Sequence, residues 1–434
     1  MSRFKNVYCD QPKQDVVFSN LHVSTATGDQ NYINCNPKFF CYSTTGGGGP
    51  FVILHADKPG RMEAETGTVT GHTAATINFD WNPFNDNQLV SCSEDCTIKV
   101  WNVADNASAE CTSTIHAHGR KCTHVKFNPT AENALASASA DHTVKLWDIG
   151  TGECAWTNEG AHMDLVQDLQ WDFYGANLAT SCKDKNVRII DGRSGVVHTT
   201  IEHAHDGTKS CRLAYLGRSG NLLSVGFTKT SHRQFKVWDP RNLAKPLKTV
   251  EIDQAAGVIM PFFDADNNML YLAGKGDSNI RYYEITPESP YAIECDTFRS
   301  TVSARGMAFM PKRGVDTTKN EIARLLRLTP NSMEPLSFIV PRKADGYQAD
   351  LYPDTAAMAA AHSFAAWKAG SSLAPTEVSM DPTSDKKAHA APIGASAAPE
   401  KYVAPVSRES LIADLEKANK RIAELEAQLA KAGI

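Results

Sequence analysis

Several groups of residues in this chain could do chemistry. His116-Ala117-His118 with Cys122, and His203-Ala204-His205, offer imidazole and thiol donors at spacings a metal could use. Gly46-Gly47-Gly48-Gly49 could cradle a phosphate, but only where such a run opens a helix after a strand. Here the apolar segment Pro50 to His55 follows, so a hairpin loop is the better reading. Gly274-Lys275 is not a phosphate loop, because no Gly stands five residues before Gly274 and no Ser or Thr follows Lys275. No pairing of nucleophile and base can be read along the chain. An enzyme is not expected, and neither is a cofactor.

The histidines have another use, which the elements around them explain. Ser93-Glu94-Asp95-Cys96-Thr97-Ile98-Lys99-Val100-Trp101 returns as Asp141-His142-Thr143-Val144-Lys145-Leu146-Trp147. Asp184 to Asp191 keeps the spacing with Ile190 in place of Trp, and Asp277 to Glu284 keeps it with Tyr283. Phe235-Lys236-Val237-Trp238-Asp239 keeps the ending, with His232 where the turn Asp should stand. The repeat ends at 101, 147, 190, 238 and 283 lie 43 to 48 residues apart. Gly71-His72, Ala117-His118 and Ala161-His162 each precede an end by 28 or 29 residues. A period of about 40–50 with this ending is the mark of a WD-repeat propeller. His72, Asp95 and Trp101, and His118, Asp141 and Trp147, are therefore read as the polar cement of single blades. A buried imidazole, indole N–H and carboxylate must find partners. His118 and His205 both fall at the structural His position, so no metal site is expected.

The balance of 44 Lys and Arg against 49 Asp and Glu excludes the strongly basic domain that general nucleic-acid binding wants. The first residues lack the apolar core of a secretory signal, and no apolar run is long enough to span a bilayer. Eleven cysteines without a C-x-x-C pair fit reduced thiols in the cytoplasm, and Cys92 and Cys182 read as small apolar strand residues.

Before the repeats, Tyr32 to Tyr42 and Pro50 to His55 read as strands of one degenerate blade. After them, Gly306 to Met310, Glu321 to Leu328 and Leu336 to Val340 supply one more. One, five and one make seven. Closing the ring needs pairing between the chain ends, because an open sheet edge is a liability; Phe18 to Val23 is the expected N-terminal partner. The fold class is thus all-β: a seven-bladed WD-repeat propeller over residues 1–340. An arm over 341–370 carries Phe364 and Trp367, which need burial against one face. Residues 371–406, rich in Ser, Ala and Pro, read as a disordered linker. In the tail, 407–434, Leu415, Ile422 and Leu429 fall seven apart, as do Leu411, Ala418, Leu425 and Ala432. This a/d seam predicts a coiled-coil helix that needs a partner, with Arg421 and Glu426 pairing across it.

This combination resembles the coronin family. Ser2-Arg3-Phe4-Lys5-Asn6-Val7-Tyr8, Met260-Pro261-Phe262-Phe263-Asp264, Gly274 to Tyr283, Pro311-Lys312-Arg313-Gly314, Val340-Pro341-Arg342-Lys343 and Leu351-Tyr352-Pro353-Asp354-Thr355 are similar to its signature strings. The resemblance implies binding to filamentous actin, control of actin dynamics, and a place in the cytoplasm at the actin cytoskeleton and cell cortex. It also implies the actin-related-protein complex that nucleates branches as a partner. Arg421-Ile422-Ala423-Glu424-Leu425-Glu426 matches the family's trimer-forming motif, which favours a homotrimer; Ala418 and Ala432 leave an antiparallel tetramer open. The filament surface is acidic, so the candidate contacts are Arg120 and Lys121; Lys183, Lys185 and Arg188; and Lys312-Arg313. Many relatives carry Arg, implicated in filament contact, where this chain has His22, and histidine is mostly neutral at pH 7. The rival reading is a generic WD-repeat scaffold or ubiquitin-ligase adaptor, suggested by Trp238-Asp239-Pro240-Arg241.

Overall fold

The computed structural model describes residues 4–343 and 346–390. The tail helix assigned to 407–434, with Leu411, Leu415, Ala418, Arg421, Ile422, Leu425, Glu426 and Leu429, lies outside the described residues, as does 391–406. Among the described residues the strands form six four-stranded antiparallel sheets, one six-stranded sheet and a small three-stranded one. In sequence order the four-stranded sheets begin at the inner strands Ile33–Cys35, Thr76–Trp81, Cys122–Phe127, Val166–Trp171, Arg212–Tyr215 and Ile259–Asp264. Each sheet is a meander from an inner to an outer strand, and the inner strands stand side by side. This is the β-propeller architecture.

The repeated strings build repeated geometry. Cys96, His142 and Lys185, each directly after the turn Asp, all take left-handed backbone with φ of 68°, 67° and 71°. The register against the outer strand slips at Trp101, Trp147, Ile190 and Tyr283, so four of the five repeat-ending side chains sit at a bulge; in the fifth repeat the slip falls at Arg233–Gln234 instead. Gly71 lies beside the Trp101 ring, where a Cβ would come within 2.9 Å of it. The core lies between sheets rather than within them: Phe51 of one sheet packs on Phe79 and Trp101 of the next.

The ring is closed by a sheet that joins the N-terminal stretch to the strands preceding the arm. Ser332–Ile339 pairs with Glu321–Leu328 on one side. On its other side it takes Phe18–Ser19, with Phe18 opposite Met333, and Tyr8–Cys9, with Tyr8 opposite Ile339. The expected partner at Phe18 to Val23 is thus a two-residue strand, joined by a second one that sequence reading missed. The expected strand from Tyr32 to Tyr42 is in fact two strands, Ile33–Cys35 and Phe39–Ser43. The Asn36 side-chain oxygen accepts from the N–H groups of Lys38 and Phe39 at 2.9 and 2.7 Å and turns the chain between them.

The arm packs on the face formed by the inner-to-second and third-to-outer connections. Trp367, on the short helix Phe364–Lys368, is fully buried; its indole N–H donates to Gly175 O at 3.1 Å and its ring meets Trp171 edge-on. Arg193 donates to Trp367 O at 2.8 Å and Ser371 O at 2.7 Å. The linker expected from residue 371 does not begin there. Thr376–Val378 pairs with Thr355–Ala356 and His389–Ala390, Glu377 is buried against Arg218, and Met380 joins the core beside Leu351 and Tyr352. Polar composition hid this segment because its anchors are one ion pair, one Met and backbone pairing. Among the described residues no helix is long and apolar enough to cross a membrane.

Trp367→Ala should cost about 3–5 kcal/mol, as large aromatic truncations in cores do. Arg241→Ala, at a side chain 82% exposed, should change stability by no more than about 0.5 kcal/mol. Denaturant unfolding of both variants checks the pair.

Candidate functional site

The polar chains inside the sheets set the face on which the candidate residues stand. The Trp101 indole N–H donates to Ser91 Oγ at 2.8 Å, Ser91 Oγ lies 2.8 Å from His72 Nε2, and His72 Nδ1 lies 2.9 Å from Asp95 Oδ2. Asp95 also accepts from the Thr73 and Thr97 N–H groups, both at 2.9 Å, and from the Thr97 hydroxyl at 2.6 Å. Trp147, Ser137, His118 and Asp141 repeat this at 2.9, 2.8 and 3.1 Å. In the sheet ending at Trp238, the indole bonds Ser224, Ser224 bonds His205, and Gln234 replaces the missing Asp at 3.1 Å from Nδ1. Sequence reading missed Gln234, although it stands at the Thr97 position of its own repeat.

Electrostatics follow from burial. Burial pushes the imidazoles of His118 and His162 down to about 4, and that of His205 to about 3. Burial would raise Asp95 and Asp141, but the bonds they accept, from Thr97 and Thr143 first, hold both at about 2. His72, His118 and His205 therefore have both ring nitrogens engaged inside the blade, as structural links.

A second set of links joins one sheet to the next. Asp80 accepts from the Phe127 N–H at 2.8 Å, and Asp168 accepts from the Leu213 N–H at 2.8 Å. Asn34 donates to Phe79 O at 2.8 Å. These inner-strand residues lie outside the recurrent string, so the repeat pattern did not reveal them.

Because each sheet is a meander, its second-to-third turn and the loop into the next inner strand share one end of the ring. Arg120 and Lys121 lie in such a loop and are exposed. Lys121 reaches Glu94 at 3.4 Å. Lys183 and Lys185 lie in such a turn; Lys183 reaches Asp164 at 3.8 Å and Lys185 donates to Asp206 O at 2.8 Å. His22 is exposed in the loop entering the first inner strand, where its carbonyl accepts from the Thr44 hydroxyl. All five thus stand on the face opposite the arm.

Arg188 does not join them. It is 6% exposed and pairs with Asp184 at 2.6 Å. Lys stands at its place in the strings ending at Trp101 and Trp147; Arg is long enough to take the turn Asp, which leaves His162 Nδ1 without a hydrogen-bond partner among the described residues. Lys312 and Arg313 are also withdrawn from any partner: Lys312 is buried on Asp264 and the Ile322 carbonyl, and Arg313 holds Asp86 at 2.5 Å. Arg241 is exposed but folds back on Asp239 at 2.9 Å, in a third-to-outer connection on the arm's face.

Comparison with known proteins fits this geometry. Residues 64–102, 109–148 and 152–191 match a family model described as "WD domain, G-beta repeat", and residues 333–375 one described as a type of WD40 repeat. Residues 1–61 match a domain of unknown function, DUF1899. In fold, the WD40 domain of Toxoplasma gondii coronin superposes with a TM-score of 0.82 at 31% identity, covering 87% of this chain and 98% of that one. A chain of the mitotic checkpoint complex, at 14% identity and a TM-score of 0.59 over 76% of this chain and 92% of its own, shares the fold alone. The protein is thus a WD-repeat β-propeller. Coronin-A of Dictyostelium discoideum is 41% identical over 99% of this chain and 96% of its own length, and the chain belongs to the coronin family.

Acid should unfold the ring in two stages. An unfolded histidine titrates near ~6.5, whereas His118 and His162 in the fold take a proton only at about 4. Stability is therefore full above that unfolded value and falls as pH drops toward the folded one. A further loss follows below about 3.8, as Asp95 and Asp141 approach about 2. Melting temperature against pH should be level above ~6.5 and fall below it, and His162→Gln should make the first stage shallower, with the share of His118 remaining.

Proposed function

We propose that this coronin-family chain binds filamentous actin through the loop-and-turn face that carries Arg120, Lys121, Lys183 and Lys185, with His22 on the same face. The observation that carries the reading is the division of labour between faces. The arm occupies one, and the other carries exposed Arg120, Lys121 and Lys183 and half-exposed Lys185, while the buried Arg188 and Lys312 and the partly buried Arg313 are spent on the fold. Filament subunits are acidic, so exposed cations steer the encounter and are screened by salt.

The propeller is seven-bladed in this reading: the six four-stranded sheets and the closing sheet. The seam over 407–434 joins copies of the chain, a trimer being favoured. Joined propellers raise one another's effective concentration on a filament and cross-link two filaments. The protein acts in the cytoplasm, at the cortical actin network, and its tail also serves the actin-related-protein branching complex. The family resemblance supports these last assignments.

Co-sedimentation with filamentous actin tests the reading. The full chain should pellet, and a truncation ending at Pro392 should bind more weakly through lost avidity. Charge reversal at Arg120 and Lys121 should weaken binding without lowering the melting temperature; unchanged affinity would move the site elsewhere. Ile422→Asp should give a monomer in light scattering. The mass of the unaltered chain separates trimer from tetramer.

A further inference from the structure

The cations of the candidate face are not all free to act. Lys121 and Lys183 already face Glu94 and Asp164, in pairs roughly half-exposed on both sides. Such pairs contribute little to stability, but they halve the charge the face offers at a distance. Arg120 and Lys185 remain without a carboxylate partner among the described ion pairs. Charge steering alone is thus weaker here than the count of basic residues suggests.

Amid these residues stands Met163, 75% exposed. It lies in the loop between the strands Glu153–Asn158 and Val166–Trp171, and its N–H donates to Asp184 Oδ2 at 3.4 Å. Lys183 leaves the adjacent turn, tied to the same loop where its N–H donates to Leu165 O at 2.9 Å. The loop with Arg120 and Lys121 enters the preceding sheet on the same face. Single exposed apolar residues are ordinary on protein surfaces, so position is what marks this one. The other large exposed apolar side chains among the described residues lie elsewhere: Val196 in a turn on the arm's face, Met358 and Leu373 in the arm, Tyr8 and Val16 in the N-terminal stretch. Met163 is the one on the loop-and-turn face. A protruding apolar group within a rim of charge is how interfaces concentrate their affinity, and a flexible thioether adapts to a shallow pocket.

We infer that Met163 is the apolar anchor of the filament-binding face. It enters a shallow apolar depression on an acidic filament subunit while Arg120, Lys121, Lys183 and Lys185 exchange their present contacts for carboxylates around it. This inference rests on the actin reading above. It assigns the anchor the part of the affinity that salt does not screen, and the cations the part that it does.

The test is co-sedimentation of the full chain with filamentous actin across a salt series, comparing the unaltered protein with Met163→Ala, Met163→Gln and Met163→Leu. Met163→Ala and Met163→Gln should weaken binding by about tenfold at every salt concentration, the loss expected for one apolar side chain no longer buried. The slope of affinity against salt should stay as it was. Met163→Leu should restore binding, and melting temperature should be equal in all four, since the side chain is exposed. Unchanged affinity for Met163→Ala, with the unaltered protein still pelleting, overturns the anchor and leaves the actin reading standing. Failure of the unaltered protein to pellet overturns both.

Discussion

Everything in this molecule depends on the closing of the ring. A row of twisted sheets set side by side leaves two unpaired edges, and backbone N–H and C=O groups at an edge seek partners of any kind. Here the strand Ser332–Ile339 takes up Tyr8–Cys9 and Phe18–Ser19 on its free side. Residues more than 300 positions apart thus share one ladder. Closing so long a loop costs chain entropy, though the cost grows only with the logarithm of its length. The return is that every inner strand has neighbours on both sides, so the links from Asp80 to Phe127 and from Asp168 to Leu213 operate round a continuous ring. The arm depends on the same sheet, because the Tyr352 hydroxyl donates to Glu321 O at 3.0 Å.

What the sequence disclosed was what recurs. The string from Asp95 to Trp101 could be read because one set of physical demands is met again at Asp141 to Trp147: a left-handed turn, an indole needing an acceptor, an imidazole needing two partners. What it concealed was substitution within that set. Arg188 looks like a surface cation because sequence gives its charge but not its reach, and reach is what delivers it to Asp184. Gln234 looks like an ordinary strand residue until His205 is seen to have no Asp. Lys312 and Arg313 form a basic pair in sequence, yet Asp264 and Asp86, far away in the chain, claim them one each. The segment from 371 to 390 has the composition of a linker and the contacts of a folded arm, since a single buried pair such as Arg218 with Glu377 leaves no periodic trace.

The two faces of the ring are chemically unlike for a reason rooted in topology. The connections on one face receive the arm, so their polar groups are answered within the molecule: Gly175 by Trp367, Arg193 by the backbone of Trp367 and Ser371, Arg218 by Glu377. The loops and turns on the other face carry the repeat's own turn Asp, and the side chains beside it are left to solvent. An exposed basic residue next to a structural Asp costs little, because the Asp is already satisfied by backbone N–H groups together with a hydroxyl at Asp95 and Asp141 or the Arg188 guanidinium at Asp184. This is why the candidate contacts cluster at Lys183 and Lys185 beside Asp184, and at Arg120 and Lys121 beside the loop that meets Asp141.

The alternation of strand direction also has a mechanical meaning. Each strand runs from one face of the ring to the other, so tension between the arm's face and the loop-and-turn face acts along the strands. Ladders loaded in that direction are sheared: many hydrogen bonds resist together instead of parting one at a time. The described chain leaves the ring at His389–Ala390, on the arm's side, held to Asp354 at 2.9 Å and to the strand Thr376–Val378. A pull applied between the two faces of the ring itself would be spread along whole ladders rather than focused on one turn, which makes the ring a stiff coupling between whatever grips its two sides.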